Sequence, residues 1–185
     1  MVFGYGGAIV AGFLLTAVPN WTGRLPVCGA PLMALVALWV AGRAAVLFQP
    51  GPAWLPGLVE SAFLVAFAGL VWREVIAGKN IRNLKVAGAV SALALANIAF
   101  HCMSVATGGL PQVAIRSGLA ALLFLILLIG GRITPSFTRN WLGKQGGAMP
   151  APFDRFDGAA LIVSLASLAA WAALDGATIV SALLV

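Results

Sequence analysis

Charge is what this chain has least of. Asp, Glu, Lys and Arg make up 9% of its 185 residues, and only 5 of them are acidic. Soluble domains carry about 25% charged and about 45–50% apolar residues, whereas this chain is 62% hydrophobic. So few charges cannot coat a water-soluble domain, and a soluble globular fold is excluded. Histidine occurs once and cysteine twice. There is no CxxC pair and no Cys/His spacing of a zinc site. No paired-carboxylate motif, nucleophile–base pair or phosphate loop is present. Gly4-Tyr5-Gly6 lies in an apolar run with no strand ahead of it, so it is not a nucleotide loop. With no recognisable catalytic motif, the sequence leaves open whether the chain is an enzyme. No run of aromatics interleaved with basic residues suggests RNA or DNA binding, and the net charge of +6 does not point to nucleic acid.

What fills the chain instead is a series of long apolar runs: Phe3–Val18, Pro31–Phe48, Trp54–Ile76, Val86–Ala106, Val113–Gly130 and Gly158–Leu174. Crossing a bilayer core takes roughly 20 apolar residues, with a lower limit near 17. If the runs cross in turn, one side holds Arg24, Arg73, Lys79, Arg82, Lys85, Arg132, Arg139, Lys144 and Arg155. The other holds only Arg43 and Arg116, a division of 9 against 2 among the 11 basic residues. Basic loops remain cytoplasmic. The expectation is therefore an all-α, polytopic membrane helix bundle within the bilayer, forming one domain over residues 1–185. It has six spans and the start of a seventh at 177–185. The N-terminus lies outside and the basic loops lie in the cytoplasm, and nothing fixes an oligomeric state. The charge excess is mostly this orientation signal, beside an anionic leaflet. Cys28 and Cys102 fall on opposite sides and are not expected to pair.

Gly4, Gly6, Gly7 and Gly12 lie in the first run, where small residues let helices approach closely. Gln49-Pro50-Gly51-Pro52 and Gly108-Gly109-Leu110-Pro111 read as outer turns. In the long connection 131–157, Thr134 and Pro135 look like the start of a separate short helix. Phe137 and Trp141 would share one face of it, laid on the cytoplasmic interface; a plain loop is the rival reading. Pro19-Asn20-Trp21-Thr22-Gly23-Arg24 is similar to Pro135-Ser136-Phe137-Thr138-Arg139, a possible internal repeat. Both ends read as cut: the first run has no basic region ahead of it, and the last stops after nine residues. A fragment of a longer membrane protein is expected.

His101 is the residue that points to chemistry. It lies in the fourth run, about 8 Å below the outer boundary at ~1.5 Å per residue. Ionisable residues in membranes face a cavity or a partner, and imidazole is a common metal and haem ligand. Asn97 and Ser104 share its helix face and are candidates to orient the ring. A structural histidine bonded to a backbone carbonyl is the alternative. Arg43, Glu60, Arg116 and Asp175 fall in the same layer as His101. An Arg43–Glu60 or Arg116–Glu60 contact is expected, since charges buried in lipid pair. Such a site would open outward, with arginines suited to an anionic ligand such as haem propionates; snorkelling from helix ends is the plainer reading, favoured for Arg116 and Asp175. Cys102 and Met103 have copper-binding side chains. Successive helical residues point about 100° apart, though, so packing is the better reading of both.

Several stretches carry a family resemblance. They are Phe3-Gly4-Tyr5-Gly6-Gly7-Ala8 through Thr16-Ala17-Val18-Pro19-Asn20-Trp21-Thr22-Gly23-Arg24, Leu38-Trp39-Val40-Ala41-Gly42-Arg43, the segment from Asn97 to Phe100-His101, and Gly131-Arg132-Ile133-Thr134-Pro135-Ser136-Phe137-Thr138-Arg139-Asn140. In order and spread over most of the chain, they resemble the NnrS family. The resemblance implies a bacterial inner-membrane protein of about twelve helices that contains haem and copper and acts in nitric oxide metabolism and nitrosative stress. Haem or nitric oxide would then be its small-molecule ligand. It implies His101 as a metal and cofactor ligand, with Arg43 and Glu60 at the same site. Family members carry a His-x-His-Glu-Met segment just ahead of the Phe-Gly motif, and Met1 aligns with its methionine. The chain is thus expected to keep the framework and one candidate ligand. Two readings compete with this one. The first is a transporter or channel domain with an outward-facing polar site, and the second is a degenerate fragment without activity of its own.

Overall fold

A bilayer core offers no water to backbone N–H and C=O groups, so each spanning segment satisfies its own. Every regular element among the described residues is accordingly helical. The structure is a computed structural model that describes residues 1–147, 149, 151 and 153–174. The expected seventh run at 177–185 lies outside the described residues, as does Asp175. A π-helical turn, Val2–Gly6, leads into α1, Gly7–Thr22. Then follow α2, Ala30–Phe48; α3, Leu55–Ala77; α4, Leu84–Thr107; α5, Gln112–Gln145; and α6, Arg155–Ala173. All six are long and apolar enough to cross a membrane, and the chain is a multi-pass membrane protein.

The helix ends follow from local chemistry. Pro31 and Pro56 sit in the first turns of α2 and α3, where a missing N–H costs nothing. Gly23 stops α1 in the left-handed region at φ 69°, its N–H donating to the Pro19 carbonyl at 2.8 Å. Asp154 and Asp157 form a reciprocal capping box at the start of α6.

The chain falls into two compact units, Met1–Leu122 and Leu123–Val185. In the first, α3 is the hub, packing against α1, α2 and α4. Phe67, Leu64 and Val75 of α3 and Val86, Val90 and Leu93 of α4 are fully buried. Large side chains such as Val40 and Leu58 stay uncovered, as expected of surfaces that lipid covers. The second unit holds the remainder of α5 and α6, with most of α6 exposed.

One expectation is corrected here. There is no separate interfacial helix after the fifth run and no plain loop: α5 is continuous through Thr134 and Pro135 to Gln145. A proline removes one backbone hydrogen bond, which membrane helices tolerate. Thr138 also donates its hydroxyl back to the Thr134 carbonyl at 2.9 Å. The resemblance to Pro19–Arg24 holds as far as a proline inside a helix. The glycine that stops α1 at position 23 has no counterpart before Arg139, so α5 runs on.

Candidate functional site

Three charged or ionisable side chains from three helices meet near one end of the first unit. Glu60 of α3 is buried, at 8% exposure. One of its carboxylate oxygens, Oε1, accepts from Arg43 Nη2 of α2, and the other, Oε2, lies 2.7 Å from His101 Nε2 of α4. The carboxylate is therefore clasped between a guanidinium and an imidazole, in the arrangement that relieves the cost of burying a charge.

Glycines make the approach possible. A Cβ on Gly57 would lie 2.7 Å from His101 Cβ and 2.8 Å from its Cγ, so the imidazole rests on bare backbone. A Cβ on Gly42 would come within 3.0 Å of Glu60 Cα, and one on Gly4 would collide with the Arg43 guanidinium. Around this centre, Trp39 Nε1 donates to the Gly4 carbonyl at 3.0 Å. Phe100 meets the His101 ring edge-on at 5.2 Å and Phe3 at 5.6 Å. The π-helical turn thus brings residues 3 and 4 into the shell of the site.

A second polar pair lies one helical turn away. Ser61 Oγ donates to Asn97 Oδ1 at 2.7 Å, and Asn97 is completely buried. Its Nδ2, like Arg43 Nε, is buried without a hydrogen-bond partner.

Fourteen residues along α3 from Glu60 stands Glu74, also buried. It accepts from Arg24 Nε at 2.6 Å and from Arg73 Nη2 at 2.8 Å. Beside it, Asn80 Nδ2 donates to the Trp21 carbonyl at 2.6 Å, and a Cβ on Gly78 would meet Thr22 at 2.6 Å. Each of Trp21, Thr22 and Arg24 in the proline motif therefore contacts the end of α3 or the turn after it. A cavity of about 10 Å³ lined by Leu14, Val18, Pro19, Val71 and Glu74 adjoins this cluster, at the lower limit for one water.

Compared with known proteins, the chain matches the family model described as NnrS protein over residues 1–185. The chain belongs to the NnrS family. No curated protein and no solved structure gives a match.

In this NnrS-family chain the sequence-predicted residues Arg43, Glu60 and His101 come together. Of the two expected carboxylate–arginine contacts, the structure holds Arg43–Glu60. Arg116 is half-buried in α5. The His101 ring is oriented by Glu60, not by Asn97 or Ser104: Asn97 is taken by Ser61. Cys102 and Met103 are exposed rather than packed in the core, and Cys28 and Cys102 are free thiols. Glu74 and Ser61 were missed. Glu74 sits beside a basic loop, where a carboxylate looks like part of a solvated helix end. The available signal was its spacing from Glu60, which returns to nearly the same face of α3.

Proposed function

We propose that this NnrS-family protein binds haem in the membrane through His101 and acts in the nitric oxide response. The observation that supports this most is the His101–Glu60 hydrogen bond. A ligating imidazole characteristically gives its second ring nitrogen to a carboxylate, which fixes the ring and raises its basicity. Glu60 stands in that role, and Arg43 balances the charge of Glu60. Imidazole is a common protein ligand of haem iron, and His101, held by Glu60, would be the residue to hold it here. When bound, haem supplies an iron centre able to take up nitric oxide or pass electrons. The family resemblance extends to copper. Among the described residues no three His, Cys, Asp or Glu side chains gather to hold a metal, so a copper ion would need donors outside this cluster.

Such a protein would lie in a bacterial inner membrane, with the Arg43–Glu60–His101 layer toward the periplasm and the Arg24–Glu74–Arg73 cluster toward the cytoplasm. Cys28 lies in the α1–α2 connection and is exposed, so it reports this orientation directly. In a Cys102→Ser background, a membrane-impermeant maleimide is expected to label Cys28 only after cells are permeabilised. Labelling of intact spheroplasts from outside would reverse the topology.

The test of the functional reading is the absorption spectrum of the purified chain in detergent, oxidised and reduced, beside His101→Ala. A Soret band is expected in the parent and is expected to fall at least tenfold in the variant. An undiminished band in His101→Ala would remove His101 as the ligand. A parent that gives no band even after addition of haem would remove the haem reading.

A further inference from the structure

We propose that the Arg24–Glu74–Arg73 cluster is a phosphate-binding site, placed to take the headgroup of an anionic phospholipid. Glu74 is buried at the end of α3, but the two guanidiniums that hold it are not. The Arg24 side chain keeps 43% of its surface accessible and that of Arg73 keeps 60%. Each guanidinium carries more N–H donors than it spends on Glu74. Arg24 gives its Nε alone, and Arg73 gives its Nε and Nη2. Both Nη groups of Arg24 and Nη1 of Arg73 have no hydrogen-bond partner among the described residues. Two cations against one carboxylate also leave a positive charge unbalanced.

Basic side chains on a membrane surface commonly attract anionic lipid as mobile charges. Here a buried carboxylate fixes both forks before any ligand arrives. A guanidinium fork matches a pair of phosphate oxygens, and a fork already in place loses less freedom on binding. There is also room beside them. A Cβ on Gly23, next to Arg24, would meet nothing within 4 Å. The α3–α4 turn adds a third cation. Lys79 is exposed and lies between Gly78 and Asn80, which touch Thr22 and Trp21 at the end of α1.

Leu25, Ile76 and Ile81 are exposed in the same segments. Uncovered apolar side chains beside fixed guanidiniums suit a ligand that has both acyl chains and a phosphate. A soluble phosphate ester offers the same group without the chains and is the rival source. The inference stands apart from the haem reading, because the cluster shares no residue with Arg43, Glu60 and His101.

The probes are phosphatidylglycerol and phosphatidylcholine with a pyrene on one acyl chain. Each is added to the full chain in detergent micelles and read by energy transfer from the tryptophans. Phosphatidylglycerol is expected to bind the more tightly. Arg73→Gln together with Lys79→Gln is expected to weaken it about 25-fold, or about fivefold for each cation removed. Glu74 keeps Arg24 in that variant. Lys144→Gln together with Arg155→Gln removes the same charge from exposed positions in the second unit, and is expected to leave the affinity unchanged. Equal binding of the two lipids overturns the proposal, as does a control pair that weakens binding as much as the site pair.

Arg24→Lys tests the fork without changing the charge and leaves a cation for Glu74. It is expected to weaken binding, and parent affinity in this variant would overturn the fixed-fork site. Millimolar glycerol 3-phosphate and inorganic phosphate then identify the source. Displacement of the bound probe by either assigns the site to a soluble phosphate, and retention of the probe assigns it to lipid.

Discussion

Replacing Glu60 by alanine is expected to destabilise the first unit by about 3 kcal/mol, the lower end of what breaking a buried ion pair costs. The lower end applies because the Arg43 side chain keeps 31% of its surface accessible and retains some freedom to find another partner. The loss is more than one hydrogen bond. Arg43 is left as an uncompensated cation within a span, and its Nε is already without a partner. His101 loses the group that orients it. Reversible unfolding in mixed micelles of increasing denaturing detergent would measure the change. A cost below about 1 kcal/mol, the level of an exposed ion pair, would show that Glu60 is not buried as described. Removing both partners together is expected to cost less than the two single changes added, because Arg43→Ala in the Glu60→Ala background removes the stranded charge.

Substituting Gly57 is expected to be nearly as damaging, for a different reason. The Cβ of an alanine there would fall 2.7 Å from His101 Cβ. The neighbouring atom belongs to the root of a side chain on a packed helix, which cannot swing aside as a guanidinium can. α3 and α4 must separate, and overpacking of this kind costs about 1–3 kcal/mol. Gly57→Ala is expected near 2 kcal/mol and Gly57→Val beyond 3. The separation also lengthens the Glu60–His101 bond, so any Soret band should weaken in proportion. Gly12→Ala and Gly88→Ala provide the contrast. Nothing lies within 4 Å of a Cβ at either position, and alanine favours a helix over glycine by up to about 1 kcal/mol. Both are expected to be neutral or slightly stabilising. If Gly57→Ala behaved as they do, the close α3–α4 approach described here would be wrong.

How much of this was legible beforehand depended on range. The helices were readable because apolar run length against bilayer thickness is a one-dimensional property. The Arg43–Glu60 pair was also readable, since depth alone placed both residues in one layer and buried charges must pair. The Glu60–His101 bond was not. Depth placed the two together, but which of several polar neighbours the ring would choose depended on the rotation of α4 against α3. That rotation is set by Gly57 and by the Ser61–Asn97 pair, and neither announces itself in a single sequence. The continuation of α5 through Pro135 turned on a missing glycine rather than on any residue present. Pro135 sits inside α5 and does not mark a helix start.

Glu60 and Glu74 place a fixed anchor at each end of α3. They lie fourteen residues apart, about 21 Å along the axis and about 40° apart around it at ~1.5 Å and ~100° per residue. Leu64, Phe67 and Val71 run between them on the same buried stripe. Each carboxylate is gripped by an arginine from another segment, Arg43 at one end and Arg24 at the other. A helix held at one end can swivel, but one held at both ends on a single stripe cannot. Rolling α3 by one residue or sliding it by one turn would break both inter-segment ion pairs at once, leaving Glu74 only Arg73, which moves with it. α3 is therefore the stationary part of this unit, an axle whose bearings are two ion pairs. Any rearrangement that admits a ligand to His101 must be made by the segments around it.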